Sequence, residues 1–416
     1  MKKKWISCQI VLNNIETDAL IKNDYLKRKI AIAKETLDLD AIIIWPDNHK
    51  KNLALIQEVC SNFKIKTYLW YPVLADISAF QIKPEQSVEA FNGKPGHGKI
   101  GRWKKLGHVE EDFLFLCPNE EKYVMEVFKH YQKQLLEEGF DGVLLDRIRF
   151  PSPANGFETL FTCFCQACQD KFQKDYNEDL NHYRDKIKDL LQELKDMKIK
   201  DFSGYRNLSD VIIRNNLTKF YNFRENSIFQ LTKMFADYAK QNGKTVGLNL
   251  FAPSIAYLSA QNYKLLSGIC DWIKPMLYCH TAGPAGLPLE FSCFTEAIMN
   301  INPDLKEHKL IREISRILGV NLPGSINDIL EKGVTENIIY QEIKQIQNYN
   351  LKEGVNIYPG LDSVQIRGIS YVDKQILEKY LSLIFELDVK GIIMSWNLLK
   401  IPDENIKFVG DFLLKQ

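Results

Sequence analysis

The sequence predicts an α/β protein folded as a (β/α)8 TIM barrel. Three observations carry that expectation. Eight short apolar runs are spread along the 416 residues, helix-period segments separate them, and several of those segments end in Gly or Asp-Gly just before the next run. The runs are "WISCQIVL", "AIIIWPD", "KTYLWYPVL", "DGVLLDRIRF", "KTVGLNLFAP", "CDWIKPMLY", "GVNIYPGLDSV" and "GIIMSWNLL". They are continuous rather than alternating, as expected of parallel strands covered on both faces. Between them, "NDYLKRKIAIAKETL" and "FRENSIFQLTKMFADYAKQ" repeat apolar residues at three- and four-residue steps. The joints "EEGFDG" and "KQNGKTVG" close such helices before a strand. A doubly wound sheet is the alternative. It would carry a Gly-rich turn after its first strand, where "VLNNIETD" stands instead.

A barrel of this kind needs about 250 residues. The excess falls after strands 3, 4 and 6, at about 80–112, 151–214 and 279–352. The second insertion is Cys-rich and helical. Its charged helix "DLNHYRDKIKDLLQELKDMK" reads as a solvated surface helix. With no low-complexity linker, residues 1–416 are expected to form one domain.

Composition narrows the function classes. The net charge is +1, with no dominant basic patch for nucleic acid. No apolar run reaches the ~18 residues of a membrane span. The opening "MKKKWISCQIVLNNIETD" has an apolar run broken by Cys8, Gln9 and Asn13, and reads as a strand rather than a secretion signal. Nine cysteines, an odd and scattered set, point to a reducing, cytoplasmic compartment. A homo-oligomer is left open.

Catalytic groups of a barrel stand at the C-terminal ends of its strands. Asp146 ends the fourth run, followed by Arg147 and Arg149. The other runs contribute Asp47, Trp70, Asp76, Asn249, Lys274, Tyr278, Asp362, Trp396 and Asn397, with Glu290 in the loop beyond the sixth. Aromatic platforms among hydrogen-bonding acids suit a sugar ring, and two carboxylates flanking a bond suit glycoside hydrolysis. The bland alternative is an Asp146 that caps a helix or pairs with Arg147 or Arg149. A non-catalytic carbohydrate-binding barrel is a second reading. A lyase or aldolase using Lys274 as a Schiff base is a third.

"TCFCQAC" sets Cys163, Cys165 and Cys168 in a C-x-C-x-x-C pattern, and Cys117 in "FLFLCPNEE" is the candidate fourth ligand. Four thiolates would close a structural Zn²⁺ site rather than a catalytic one. Three reduced cysteines packed under a loop is the alternative.

"GFDGVLLDRIRFP" resembles the fourth-strand motif of glycoside-hydrolase-like barrels related to the α-galactosidase superfamily. "GLNLFAP", "DWIKPMLY" and "YPGLDSV" are similar, more loosely, to later strand motifs of such proteins. The resemblance implies that Asp146 is the nucleophile of a glycoside hydrolase. The acid/base would come from strand six or later, but "PMLYCHTAG" offers no Asp there. Glu290 and Asp362 therefore share that expectation. Arg147, Arg149, Trp70, Asn249, Lys274, Tyr278 and Trp396 are expected to position the carbohydrate. The cysteine spacing resembles the zinc site of family 42 β-galactosidases.

Overall fold

The computed structural model describes residues 4–12, 24–46, 50–77, 80–99, 112–387 and 389–416. All eight apolar runs are strands: β1 (Trp5–Val11), β2 (Ala41–Trp45), β3 (Lys66–Pro72), β4 (Gly142–Asp146), β5 (Thr245–Phe251), β6 (Trp272–Leu277), β7 (Asn356–Ile357 and Gly360–Asp362) and β8 (Gly391–Ser395). Every neighbouring pair is parallel, and β8 pairs with β1, so the sheet closes. β7 is split around Pro359, yet Tyr358 N–H still donates to Ile273 O, and Pro359 O still accepts from Ile393 N–H. The register closes with a net stagger of eight residues, the shear of an eight-stranded TIM barrel.

Amphipathic helices cover the outside, among them α1 (Tyr25–Leu37), α2 (Lys50–Asn62), α3 (Glu121–Glu137) and the long α6 (Thr218–Gln241). Gly139 and Gly243 end α3 and α6 with φ of +70° and +69°, a conformation that costs a β-carbon strain. These are the joints legible in the sequence.

The insertions also fall where expected. After β3, a hairpin pairs His97–Lys99 with Asp112–Leu114. After β4 come α4 (Gln166–Tyr176) and α5 (His182–Asp196). The charged α5 is solvated on one side only: Tyr183, Ile187 and Leu194 are buried. After β6 comes α7 (Leu287–Ile301), and α8 (Asn337–Asn348) leads to β7. Helix α9 (Lys374–Phe385) joins β7 to β8, and α10 (Asp403–Leu414) packs on α1. Among the described residues no helix is long and apolar enough to cross a membrane.

The core has two parts. The larger lies between sheet and helices. The smaller fills the lumen with Ala41, Ile43, Tyr68, Trp70, Leu144, Trp272 and Ile393. Trp5 and Tyr358 stack against each other at 4.5 Å at its N-terminal end. The aromatic plug closes the bottom of the lumen.

Candidate active site and cysteine centre

The stagger puts Asp146 at one height with Trp45, Met276 and Ser395, and places Gln9, Trp70, Asn249 and Gly360 in the layer beneath. Asp146 is 6% exposed. Its Oδ2 accepts from Trp70 Nε1–H at 2.8 Å, and its Oδ1 accepts from the Arg147 backbone N–H at 2.7 Å. Both oxygens are thus oriented from within the barrel wall. Trp45 packs edge-on to Trp70 at 5.1 Å, and Trp396 packs on the same lumen cluster.

Arg147 has φ of +53° and pairs through its guanidinium with Asp76 at 2.7 Å; Asp76 has φ of +54°. Two non-glycine residues in the left-handed region, facing each other beside a strand-end carboxylate, mark a site held in a fixed shape. Arg149 stands elsewhere. Its guanidinium lies between the Phe115 and Phe251 rings at 4.6 and 4.5 Å and donates to Phe150 O at 3.0 Å. Burial pulls its pKa down to about 9.

Lys274 rises inside the lumen and is fully buried. Its Nζ donates to Asn249 Oδ1 at 3.1 Å and to the Tyr278 hydroxyl. Desolvation lowers its pKa to about 7, opposed by the charge of Asp146. Burial raises the Tyr278 phenol above its ordinary value.

The two expected acid/base groups are both fully buried. Glu290, in the first turn of α7, accepts from Ser152 Oγ and Ala154 N–H, each at 2.9 Å. It ties the loop after β4 to the helix after β6. Asp362 accepts from His280 N–H at 2.7 Å, Thr281 Oγ1 at 3.0 Å and Tyr380 OH at 2.7 Å. Tyr380 belongs to α9, outside the barrel, so this carboxylate is engaged in the wall. Desolvation raises the pKa of both acids.

Asp47 lies outside the described residues. Ser7 and Gln9 are lumen groups absent from the strand-end set expected from the sequence. Both are fully buried, and neither side chain has a hydrogen-bond partner among the described residues. Their signal was alternation: in "WISCQIV" they take the inward positions between Ile6, Cys8 and Ile10.

The four cysteines do converge. Cys117, before α3, meets Cys163 and Cys165 of the loop after β4 and Cys168 of α4, with all sulfurs within 4.8 Å of one another. Cys117 Sγ lies 3.4 Å from Cys168 Sγ and 3.5 Å from Cys165 Sγ. A tetrahedron with metal–sulfur bonds of about 2.3 Å has edges near 3.8 Å, so the quartet fits one ion. Three N–H groups aim at the sulfurs: Glu89 N at Cys163 (3.3 Å), Asn119 N at Cys117 (3.4 Å) and Asn119 Nδ2 at Cys168 (3.2 Å). Such donors compensate thiolate charge around a bound cation. All four ligands are protein sulfurs, so a bound ion would staple the insertion rather than activate water.

No family model matches the sequence, and no curated protein matches it. Among solved structures, the glycoside hydrolase domain of PgaB (BpsB) from Bordetella bronchiseptica aligns over 99% of this chain and 97% of its own, with a TM-score of 0.53 and 12% identity. The catalytic domain of a β-amylase from Paenibacillus polymyxa aligns over 99% and 98%, with a TM-score of 0.49 and 9% identity. At 12% identity, the likeness to the PgaB domain is one of fold, a (β/α)8 barrel spanning nearly the whole chain.

Proposed function

We propose that this chain is a glycoside hydrolase in which Asp146 is the catalytic carboxylate. The observation that carries the reading is Asp146 itself: a carboxylate at the C-terminal end of β4, oriented by Trp70 Nε1–H and Arg147 N–H beside the indoles of Trp45 and Trp70. Asp146 attacks the anomeric carbon, and a second acid protonates the leaving oxygen and then deprotonates water. Asp362 and Glu290 are the carboxylic candidates, each with a pKa raised by burial. Arg147, Trp70, Asn249, Tyr278 and Trp396 would hold the sugar. Arg149, stacked between two phenyl rings, would support the wall behind them. Zn²⁺ is the ion proposed for the cysteine quartet, since four soft sulfurs in a tetrahedron suit it. Nine cysteines with no disulfide among the described residues support a reducing, cytoplasmic setting.

The test is turnover of a panel of nitrophenyl glycosides by the wild type and by Asp146→Asn. The amide keeps the shape and loses the nucleophile, so turnover should fall by roughly 10³-fold or more, with a much smaller change in sugar affinity. Full activity in the variant would remove the mechanism. One observation favours a second reading: Lys274 is a buried amine with a pKa near 7, the property a Schiff-base lysine needs. Loss of activity on borohydride treatment with a carbonyl substrate, and a reduced adduct on Lys274, would select it.

A further inference from the structure

The two carboxylic candidates for the proton donor share one feature: every oxygen of Glu290 and Asp362 already accepts a hydrogen bond from the protein. A different acid stands at the end of β6, where the sequence offers no Asp. Lys274 Nζ donates to the Tyr278 hydroxyl, so the phenol oxygen accepts there; the Ser395 side chain is its other hydrogen-bond neighbour, and the phenol hydrogen can pass from Ser395 to a bound glycosidic oxygen. Lys274 is fully buried, and among the described residues no carboxylate lies within ion-pair distance of it; its other partner is neutral Asn249. Room for the lysine comes from Gly360, where a β-carbon would meet Lys274 Cε at 2.6 Å and Nζ at 3.0 Å. Asp146 acts electrostatically on both Lys274 and Tyr278, and the register sets Asp146 at the height of Met276, between Lys274 and Tyr278 on β6.

We infer that Tyr278, backed by Lys274, is the proton donor to the leaving-group oxygen. The assignment rests on the reading of Asp146 as the catalytic carboxylate. Tyr278 gives its O–H proton to the glycosidic oxygen while the bond from that oxygen to the anomeric carbon breaks and Asp146 forms a bond to that carbon. The tyrosinate takes a proton from the Lys274 ammonium. Water then bonds to the anomeric carbon, the bond to Asp146 breaks, and the proton released by water returns to the Lys274 amine. Tyr278 is the catalytic residue of the pair, and Lys274 a positioning residue that acts through it. Desolvation of the lysine supports the relay, because an amine near pKa 7 gives and takes a proton at neutral pH.

The experiment is steady-state kinetics on aryl glycosides whose leaving phenols run from dinitrophenol to unsubstituted phenol. In Tyr278→Phe, kcat/KM should fall by about 10²–10⁴-fold for the phenyl glycoside and less than about tenfold for the dinitrophenyl glycoside, which needs little proton assistance. Lys274→Met should show the same slope, and it removes a buried amine, so folding is not at risk. Equal losses across all leaving groups, or the slope appearing in Asp362→Asn or Glu290→Gln instead, would overturn the assignment and leave the glycosidase reading standing. A wild type that turns over none of these glycosides, or a fully active Asp146→Asn, would overturn the glycosidase reading beneath it.

Discussion

Replacing Lys274 by Met should make the protein more stable while disabling it. The lysine is fully buried, and desolvation lowers its pKa from the ordinary 10.5 to about 7. That gap corresponds to about 5 kcal/mol. The sign follows from proton counting. Between pH 7 and 10.5 the unfolded chain binds a proton on this lysine and the folded chain does not, so stability falls as pH drops through that window. Below pH 7 both states carry the proton and the penalty is constant. Above 10.5 neither does, and the penalty is gone. Met fills similar volume without the charge. Against the gain stand two lost hydrogen bonds, to Asn249 and Tyr278, at about 1 kcal/mol each. The expected net gain is about 3 kcal/mol near pH 6.5, shrinking toward zero, or to a small loss, near pH 10.5. Urea denaturation of both proteins at the two pH values measures it. A Lys274→Met protein no more stable than wild type near pH 6.5 would refute the claim that desolvation of this ammonium outweighs the charge of Asp146.

Glu342 offers a test of opposite sign. Buried on α8 and bonded by Ser254 N–H at 3.1 Å and by the Ser254 hydroxyl, it has a pKa raised to about 7. The folded state therefore loses stability as pH rises from 4.5 to 7. Glu342→Gln should gain up to about 3 kcal/mol near pH 8 and nothing near pH 4, read from denaturation midpoints. The cysteine quartet should hold about one Zn²⁺ per chain by elemental analysis. Chelation should lower the melting temperature more than it lowers activity per folded molecule, and metal-free protein of undiminished stability would sink that proposal. For the carboxylic candidates, Ala variants of Asp362 and Glu290 should be compared for azide rescue on nitrophenyl glycosides. With Tyr278 as the donor, neither is rescued; rescue of one would return the acid/base role to it.

Much of the fold was legible in the chain because its signals are local. A short continuous apolar run bounded by turn residues reads as a strand covered on both sides, and a Gly joint before it closes a helix; eight repeats of that unit point to a barrel. Asp146 was legible for the same reason, since a polar residue ending such a run must stand at the mouth. The cysteine quartet was legible because three of its members lie within six residues. What the sequence did not carry was the partner of each polar group. Arg149 sits two residues from Arg147, yet one stacks in the outer core and the other faces Asp76, because the left-handed turn at Arg147 breaks the alternation that would put both on one face. Glu290 reaches Ser152 across 138 positions, and Asp362 reaches His280 across 82, contacts set by how loops and helices pack once the barrel has closed. The same packing decided that Lys274 meets Tyr278 and Asn249 and, among the described residues, no carboxylate. Local pattern chooses whether a side chain points inward or outward. Which charge it meets there depends on the stagger of strands far apart in the chain, and that exists only in the closed structure.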